Sequence, residues 1–322
     1  MAERILGIDT SNYKTSVAVT DREGRILADE RILLTVPEGK RGLRQQEALF
    51  QHVENLPVLL EKVLPLCRGQ EVRAVSVSTR PRPVEGSYMP VFLAGHGQAR
   101  ALAAAYGVPC FTFSHQEGHI EAARRYTDLK DSNRFCAFHF SGGTTEALLF
   151  EDGSLTNVGG SLDISFGQLL DRVGVALHAQ FPAGEALDRV ALTALTGRKP
   201  AGLSDLPKIR EADGTINLSG IETKALRLVE ERGYGSPEEA SDLIAVLFYR
   251  IGEAMCALVK DLGDRCGTRD FLFSGGVSAS AALRAMVERT LGRDYHIIYS
   301  DPVLSSDNAV GIALLGGDAI WR

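Results

Sequence analysis

Two histidines, His115 and His119, stand four residues apart in the string HQEGH. On a helix that spacing is one turn and puts both imidazoles on one face, so both rings can reach the same cation. Asp307, in the late string SSDNAV, offers a carboxylate as third donor. Imidazole nitrogens with a carboxylate suit zinc or ferrous iron and leave positions open for water or a substrate oxygen. The string is superficially like the HExxH of zinc proteases. Glu117, however, comes two residues after the first histidine instead of one, and so faces away from the water that a protease base activates. Taken alone, the pair also admits a structural zinc site or two incidental helix histidines.

Three glycine- or hydroxyl-rich turns accompany the histidines. IDTSNYKTSVAV puts Asp9, Thr10 and Ser11 between two strands, where backbone N–H groups and hydroxyls can meet a phosphate. FSGGTTEALLF repeats the arrangement with Ser141, Gly142, Gly143, Thr144 and Thr145. FLFSGGVSASAALR runs from strand through a double glycine into a helix, whose N-terminus favours anions. One such turn merely joins strands; three in this order point to a nucleotide. Neither a Walker A string nor GxGxxG occurs with its proper spacing. Gly95 and Gly97, inside a helical stretch, read as close helix–strand packing. Asp171 and Asp188 are candidates to hold ribose hydroxyls, with a solvated helix face equally good for Asp188. His52, His96, His178 and His296 read as structural, whereas His139 lies beside the second turn.

The elements that must position these groups follow from periodicity. Strands are expected at Arg4–Asp9, Thr15–Thr20 and Arg25–Asp29, then, after a loop of proline, glycine and lysine, a helix over Leu43–Val63. Strand RAVSVS, helix FLAGHGQARALAAAY and strand VPCFTF follow. The connector DLKDSNR precedes a restart of the same order, with strands RFCAFHF and EALLF around SGGTT. Helices are expected at Phe166–Leu177, Glu185–Leu195, Gly220–Glu231 and Pro237–Leu262. Strand DFLFS, helix SASAALRAMVERTL, strand YHIIYS and a helix from Asp307 close the chain. The restart implies a duplicated α/β architecture of two lobes with a nucleotide cleft. The N-terminal lobe spans 1–130, with the helix 307–322 packing back on it, and the C-terminal lobe spans 131–306.

Composition narrows the class. A chain of 322 residues, 44% hydrophobic and 24% charged, buries a large core, and no apolar run approaches the roughly 18 residues of a membrane helix. The start MAERILGID is charged and shows no signal-peptide pattern, so a cytoplasmic protein is expected. Five scattered cysteines without a CxxC pair argue against a disulfide framework or a thiolate zinc site. A net charge of -6 confines any nucleic-acid contact to a local patch or a partner.

In order and spacing, ILGIDTS, HQEGH, FSGGTTE, GQLLDRVG, FPAGEALD, NLSGIETKAL, SGGVSASAALR and SSDNAVGIA together resemble the TsaD family, formerly called Gcp or O-sialoglycoprotein endopeptidase. The resemblance implies the duplicated actin, sugar-kinase and Hsp70-like (ASKHA) fold. It implies an acyltransferase that moves a threonylcarbamoyl group from an adenylate to the N6 amine of the tRNA adenosine next to the anticodon. By position, it makes His115, His119 and Asp307 the ligands of one divalent metal, iron or zinc. His139, Phe140, Ser141, Gly142, Gly143, Asp171, Gly184 and Ser280 would hold an adenine nucleotide, threonylcarbamoyl-AMP or ATP. The implied partners are tRNA, a shorter TsaB-like paralogue and a TsaE-like ATPase, with no membrane. The chain departs from the family pattern at Tyr13 and Lys14, where an acidic pair is usual, at Thr144 in place of a histidine, along RPRPVEGSY in place of GPGL, and at Ser280 in place of an asparagine. These departures keep three alternatives open: a paralogue with another carbamoyl acceptor, an ASKHA small-molecule kinase, and a non-catalytic nucleotide-binding partner subunit.

Overall fold

A computed structural model describes residues 1–11, 13–36, 43–195, 197 and 199–321. The loop expected from proline, glycine and lysine falls at 37–42, and Asn12 falls in the first turn; both lie outside the described residues, as does Arg322. The chain runs through β1 (Glu3–Thr10), β2 (Lys14–Asp21), β3 (Ile26–Leu33), α1 (Gln45–Val63), β4 (Glu71–Arg80), α2 (Phe92–Tyr106), β5 (Cys110–Ser114) and α3 (His115–Arg124). It continues with β6 (Arg134–Phe140), β7 (Thr145–Glu151), β8 (Ser154–Ser161), α4 (Phe166–Ala176), α5 (Gly184–Ala194), β9 (Glu211–Ala212), β10 (Thr215–Ile216), α6 (Ser219–Arg232) and α7 (Ser241–Cys266). It ends with β11 (Asp270–Ser274), α8 (Ala281–Leu291), β12 (His296–Tyr299) and α9 (Val310–Trp321).

Two compact units result, Met1–Tyr126 with Val303–Arg322, and Thr127–Pro302. In the first, the strand order is β3-β2-β1-β4-β5, with β1 antiparallel to β2 and parallel to β4. In the second, β8-β7-β6-β11-β12 repeats that order and those directions, and β10 and β9 extend the sheet beyond β8. The duplication is therefore one of topology.

Central strands covered on both faces need apolar residues at successive positions instead of alternation. In β1, Leu6 and Ile8 pack with Val17, Val19 and the α1 residues Leu56, Leu59 and Leu60, while Ile5 packs on the opposite face with Val310, Ala313 and Leu314 of α9. Glycine lets α9 come close: a Cβ on Gly7 would lie 2.7 Å from the Ala313 nitrogen. In the second unit Phe138 of β6 stacks on Phe140 and Phe271, with centroids 4.8 and 5.8 Å away, and meets Phe273 edge-on at 5.2 Å. Offset and edge contacts of this kind add roughly 0.5–1.5 kcal/mol each beyond area burial.

Several expected elements shift. Strand β8 is absent from the sequence expectation, because SLTNVGGS is polar and Gly159 is needed for backbone approach, a Cβ there overlapping Gly214. Helix α7 starts at Ser241 instead of Pro237. A short 3-10 turn, Gly276–Ala279, separates the double glycine from α8, so that helix starts at Ala281. Helix α9 starts at Val310 instead of Asp307, because the Asn308 side chain accepts from Val310 N at 3.0 Å and caps it.

The second unit also carries an acid-sensitive cap. The Asp163 carboxylate accepts from the N–H groups of Ile164, Leu218 and Ser219 at 2.7, 2.8 and 2.9 Å, the last at the first turn of α6. Burial alone would raise its pKa, but these donors outweigh it and hold the carboxyl well below the usual 3.8. A lowered folded pKa contributes stability that is complete above the unfolded value and is lost as pH falls through the folded one. The urea midpoint is therefore expected to fall on acidification below pH 3.8, and Asp163→Asn to flatten that slope. An unchanged slope in the variant would count against the cap.

Candidate metal centre and anion turns

Helix α3 begins where the metal donors need it to begin. The Ser114 hydroxyl accepts from Glu117 N at 3.1 Å, and Glu117 Oε2 accepts from Ser114 N at 2.6 Å, a reciprocal cap that fixes the helix start. This occupies Glu117 and leaves His115 and His119 on one face, their ring centroids 4.3 Å apart and nearly perpendicular. Asp307 lies just before the Asn308 cap of α9. Its Oδ1 is 3.1 Å from His119 Nε2 and 3.5 Å from His115 Nε2. One ligand atom from each of the three residues lies within 4.8 Å of the others.

Close passage of α9 over α3 brings Asp307 to the histidines. A Cβ on Gly118 would lie 2.7 Å from Ile312, and a Cβ on Gly311 would overlap the Gly118 carbonyl. Behind the cluster, His115 Nδ1 donates to Asp9 Oδ1 at 2.9 Å. Asp9, the penultimate residue of β1, is 0% exposed. Burial of the His115 ring would lower its pKa, but the Asp9 charge and the hydrogen bonds to Asp307 and Asp9 outweigh it and raise it to about 10. Burial would raise the Asp307 carboxyl, yet hydrogen bonds from His115 and His119 hold it well below the usual range.

The donor set fits a divalent cation. Without a cation the raised His115 pKa keeps a proton in the cluster; once His115 gives it up to bind a metal, Asp9 and Asp307 leave about two negative charges that one divalent ion balances. Two imidazole nitrogens and a carboxylate also leave coordination positions open.

The first turn does not present its side chains as the sequence suggests. Asp9 is committed to His115, and Thr10 Oγ1 donates to Val91 O at 3.1 Å and accepts from Gly95 N at 3.2 Å. A Cβ on Gly95 would lie 2.8 Å from that hydroxyl, in keeping with close packing, whereas Gly97 faces open space. His52 braces the turn as a structural residue: its Nε2 lies 2.7 Å from Ser11 O, and its Nδ1 lies 2.8 Å from the Thr15 hydroxyl.

In the second unit the structure gathers the β6–β7 turn and the start of α4. Ser141 N donates to Thr144 O at 2.8 Å, and the Ser141 hydroxyl accepts from Gly143 N and Thr144 N at 3.3 and 3.1 Å. Three turn amides are thus satisfied internally, a point the glycine pattern does not reveal. Gly167 of α4 packs directly on Gly142, and the Ser165 hydroxyl donates to Gly142 O at 2.8 Å. Phe140 is 0% exposed and belongs to the core of the second unit. His139 Nδ1 lies 3.2 Å from the Ser274 hydroxyl on β11. Asp171 Oδ1 accepts from Ala183 N at 2.8 Å, next to Gly184 at the start of α5.

Ser280 and Asp188 form a separate cap. The Asp188 carboxylate accepts from the Ser280 hydroxyl, from Ala281 N at 2.9 Å and from Ala282 N at 3.1 Å. Asp188 is neither a ribose holder nor a solvated face, and it fills the α8 N-terminus that the sequence offers to an anion. Asp188→Ala is expected to cost about 1–2 kcal/mol, in the range of a lost helix cap with its charge. Thermal or urea unfolding measures it, and a change within error would show the cap to be idle.

Comparison with known proteins decides the family. The model described as TsaD, tRNA N6-adenosine threonylcarbamoyltransferase, matches residues 32–314. The chain belongs to the TsaD family. Among solved structures, HypF from T. kodakarensis is similar with a TM-score of 0.62 at 13% identity, over 98% of this chain and 47% of that one. Component A of (R)-2-hydroxyglutaryl-CoA dehydratase from Acidaminococcus fermentans gives 0.56 at 15% identity, over 99% of each chain. The activator of 2-hydroxyisocaproyl-CoA dehydratase from Clostridium difficile, with ADPNP bound, gives 0.52 at 14% identity, over 99% and 96%. With the repeated sheet topology, these likenesses establish the duplicated actin, sugar-kinase and Hsp70-like fold for this TsaD-family transferase. No described helix is long and apolar enough to cross a membrane.

Proposed function

We propose that this TsaD-family chain transfers a threonylcarbamoyl group from its adenylate to the N6 amine of the tRNA adenosine next to the anticodon. The observation that carries this reading is the cluster of His115, His119 and Asp307 in a chain matched to that family over residues 32–314. In the transfer, N6 attacks the carbamoyl carbonyl carbon, a C–N bond forms, the C–O bond to the adenylate phosphate breaks, and AMP leaves as N6 loses a proton. A divalent cation held by the three residues supplies Lewis-acid polarisation of a carbonyl or phosphoryl oxygen.

The chain's own groups supply the rest. On this reading the β6–β7 turn, open around Gly142 and Gly143, receives the nucleotide, and the Ser141 hydroxyl braces that turn by holding Gly143 and Thr144. Asp171, tied through one oxygen to Ala183 N, keeps the other for a ribose hydroxyl. Gly184 N–H, at the start of α5, is a further donor. The ADPNP bound to the C. difficile activator supports an adenine nucleotide on this fold. A TsaB-like paralogue and a TsaE-like ATPase are the partners this reading calls for.

Tyr13, Lys14 and the stretch 80–88 differ from the family pattern and favour one other reading, the same donor with a different acceptor. Mass spectrometry of tRNA nucleosides from cells with and without the chain separates the two. Loss of threonylcarbamoyladenosine on deletion supports the tRNA acceptor. Unchanged levels, with no other copy present, move the proposal to another acceptor.

A further inference from the structure

The strongest group that the proposed chemistry leaves unused is the carboxylate of Asp9. It is 0% exposed, and its Oδ1 takes the hydrogen bond from His115 Nδ1 at 2.9 Å. Its Oδ2 is also buried, and neither it nor the Ser78 hydroxyl beside it meets a partner in hydrogen-bonding alignment among the described residues. A buried carboxylate with one strong partner is held in place by that partner's positive character. The bond also settles which nitrogen keeps its hydrogen when the ring is neutral: Nδ1 points at Asp9, so Nε2 is the atom free to bind a cation beside Asp307.

We propose that Asp9 is a positioning residue: it fixes the His115 ring and its tautomer so that Nε2 is the metal-binding atom, and it raises the basicity of that nitrogen. The proposal rests on the reading of His115 as a metal ligand. Carboxylate behind imidazole is a general way to orient a metal-binding histidine, and loss of such a partner lowers metal affinity by about 10- to 100-fold. The arrangement has a second consequence particular to this chain. Asp9 is the penultimate residue of β1, two positions before the Ser11 that His52 braces, so the position of His115 is tied to the packing of α1 on that turn. His119 Nε2 lies 3.1 Å from Asp307 Oδ1.

Cobalt titration of the full chain tests this, with the visible bands of bound Co²⁺ reporting both affinity and ligand geometry. Asp9→Ala is expected to weaken Co²⁺ binding about 10- to 100-fold and to alter the bands, with the ¹⁵N signals of His115 showing mixed tautomers. Asp9→Asn keeps size and an acceptor oxygen while removing the charge. It is expected to keep the Nδ1–H tautomer, recover part of the affinity and guard against misfolding as the cause. Ser78→Ala, in the same buried neighbourhood, is expected to leave affinity within about twofold. If the wild type binds Co²⁺ and both Asp9 variants bind it equally well with an unchanged His115 tautomer, the positioning role is overturned while the metal reading stands. If the wild type binds no Co²⁺, both fall.

Discussion

Asp307→Ala is expected to strip the chain of bound metal and of transferase activity together. Asp307 is the one carboxylate among the described residues that faces both Nε2 atoms, at 3.1 and 3.5 Å, and its removal leaves two imidazoles on one helix face. Structural four-ligand zinc sites are worth about 10–16 kcal/mol, or roughly 3 kcal/mol per ligand, so one missing ligand costs about 100-fold in affinity. Elemental analysis after dialysis and a competition titration measure the loss. Asp307→Asn, similar in size but uncharged, is expected to fall nearly as far, because the anion balances the cation. A variant that kept stoichiometric metal and full turnover would remove Asp307 from the site.

The second large effect is expected far from any reacting atom. Gly311→Ala would drive a methyl group into the Gly118 carbonyl, so α3 and α9 must separate. Overpacking of this kind costs about 1–3 kcal/mol and sometimes more, or roughly 2–5 °C in melting temperature for a chain of this size. Separation also carries Asp307 away from His115 and His119, so metal affinity falls with stability. Gly97→Ala is the control, since nothing lies within 4 Å of a Cβ there. An exposed helical glycine replaced by alanine is expected to gain about 0.5–1 kcal/mol. Equal behaviour of the two variants would show that the helix crossing is not tight.

Much of this arrangement is legible in the residues, for identifiable reasons. FLAGHGQARALAAAY, RFCAFHF and DFLFS give α2, β6 and β11 with the observed bounds, because apolar period and flanking breakers coincide. The histidine pair is legible because helical spacing is local. Asp9 as the partner of His115 is not legible, since 106 positions separate them and only the parallel sheet brings the end of β1 to the start of α3. The same holds for Asp188, whose bonds to Ala281 and Ala282 span 93 and 94 positions. Strand β8 escapes because its glycines serve backbone contact and leave no apolar signal.

The split composition of the first unit sets an order of events in the cell. Its sheet and α3 come from residues up to Tyr126, but α9 and Asp307 come from the segment that starts at Val303, after the whole second unit has been made. A ribosome therefore releases His115 and His119 long before their carboxylate partner exists. Until the last stretch emerges, the growing polypeptide offers a metal only two nitrogens, too few to hold it firmly. On the proposed reading, cation capture thus becomes a step that waits for Asp307 to emerge.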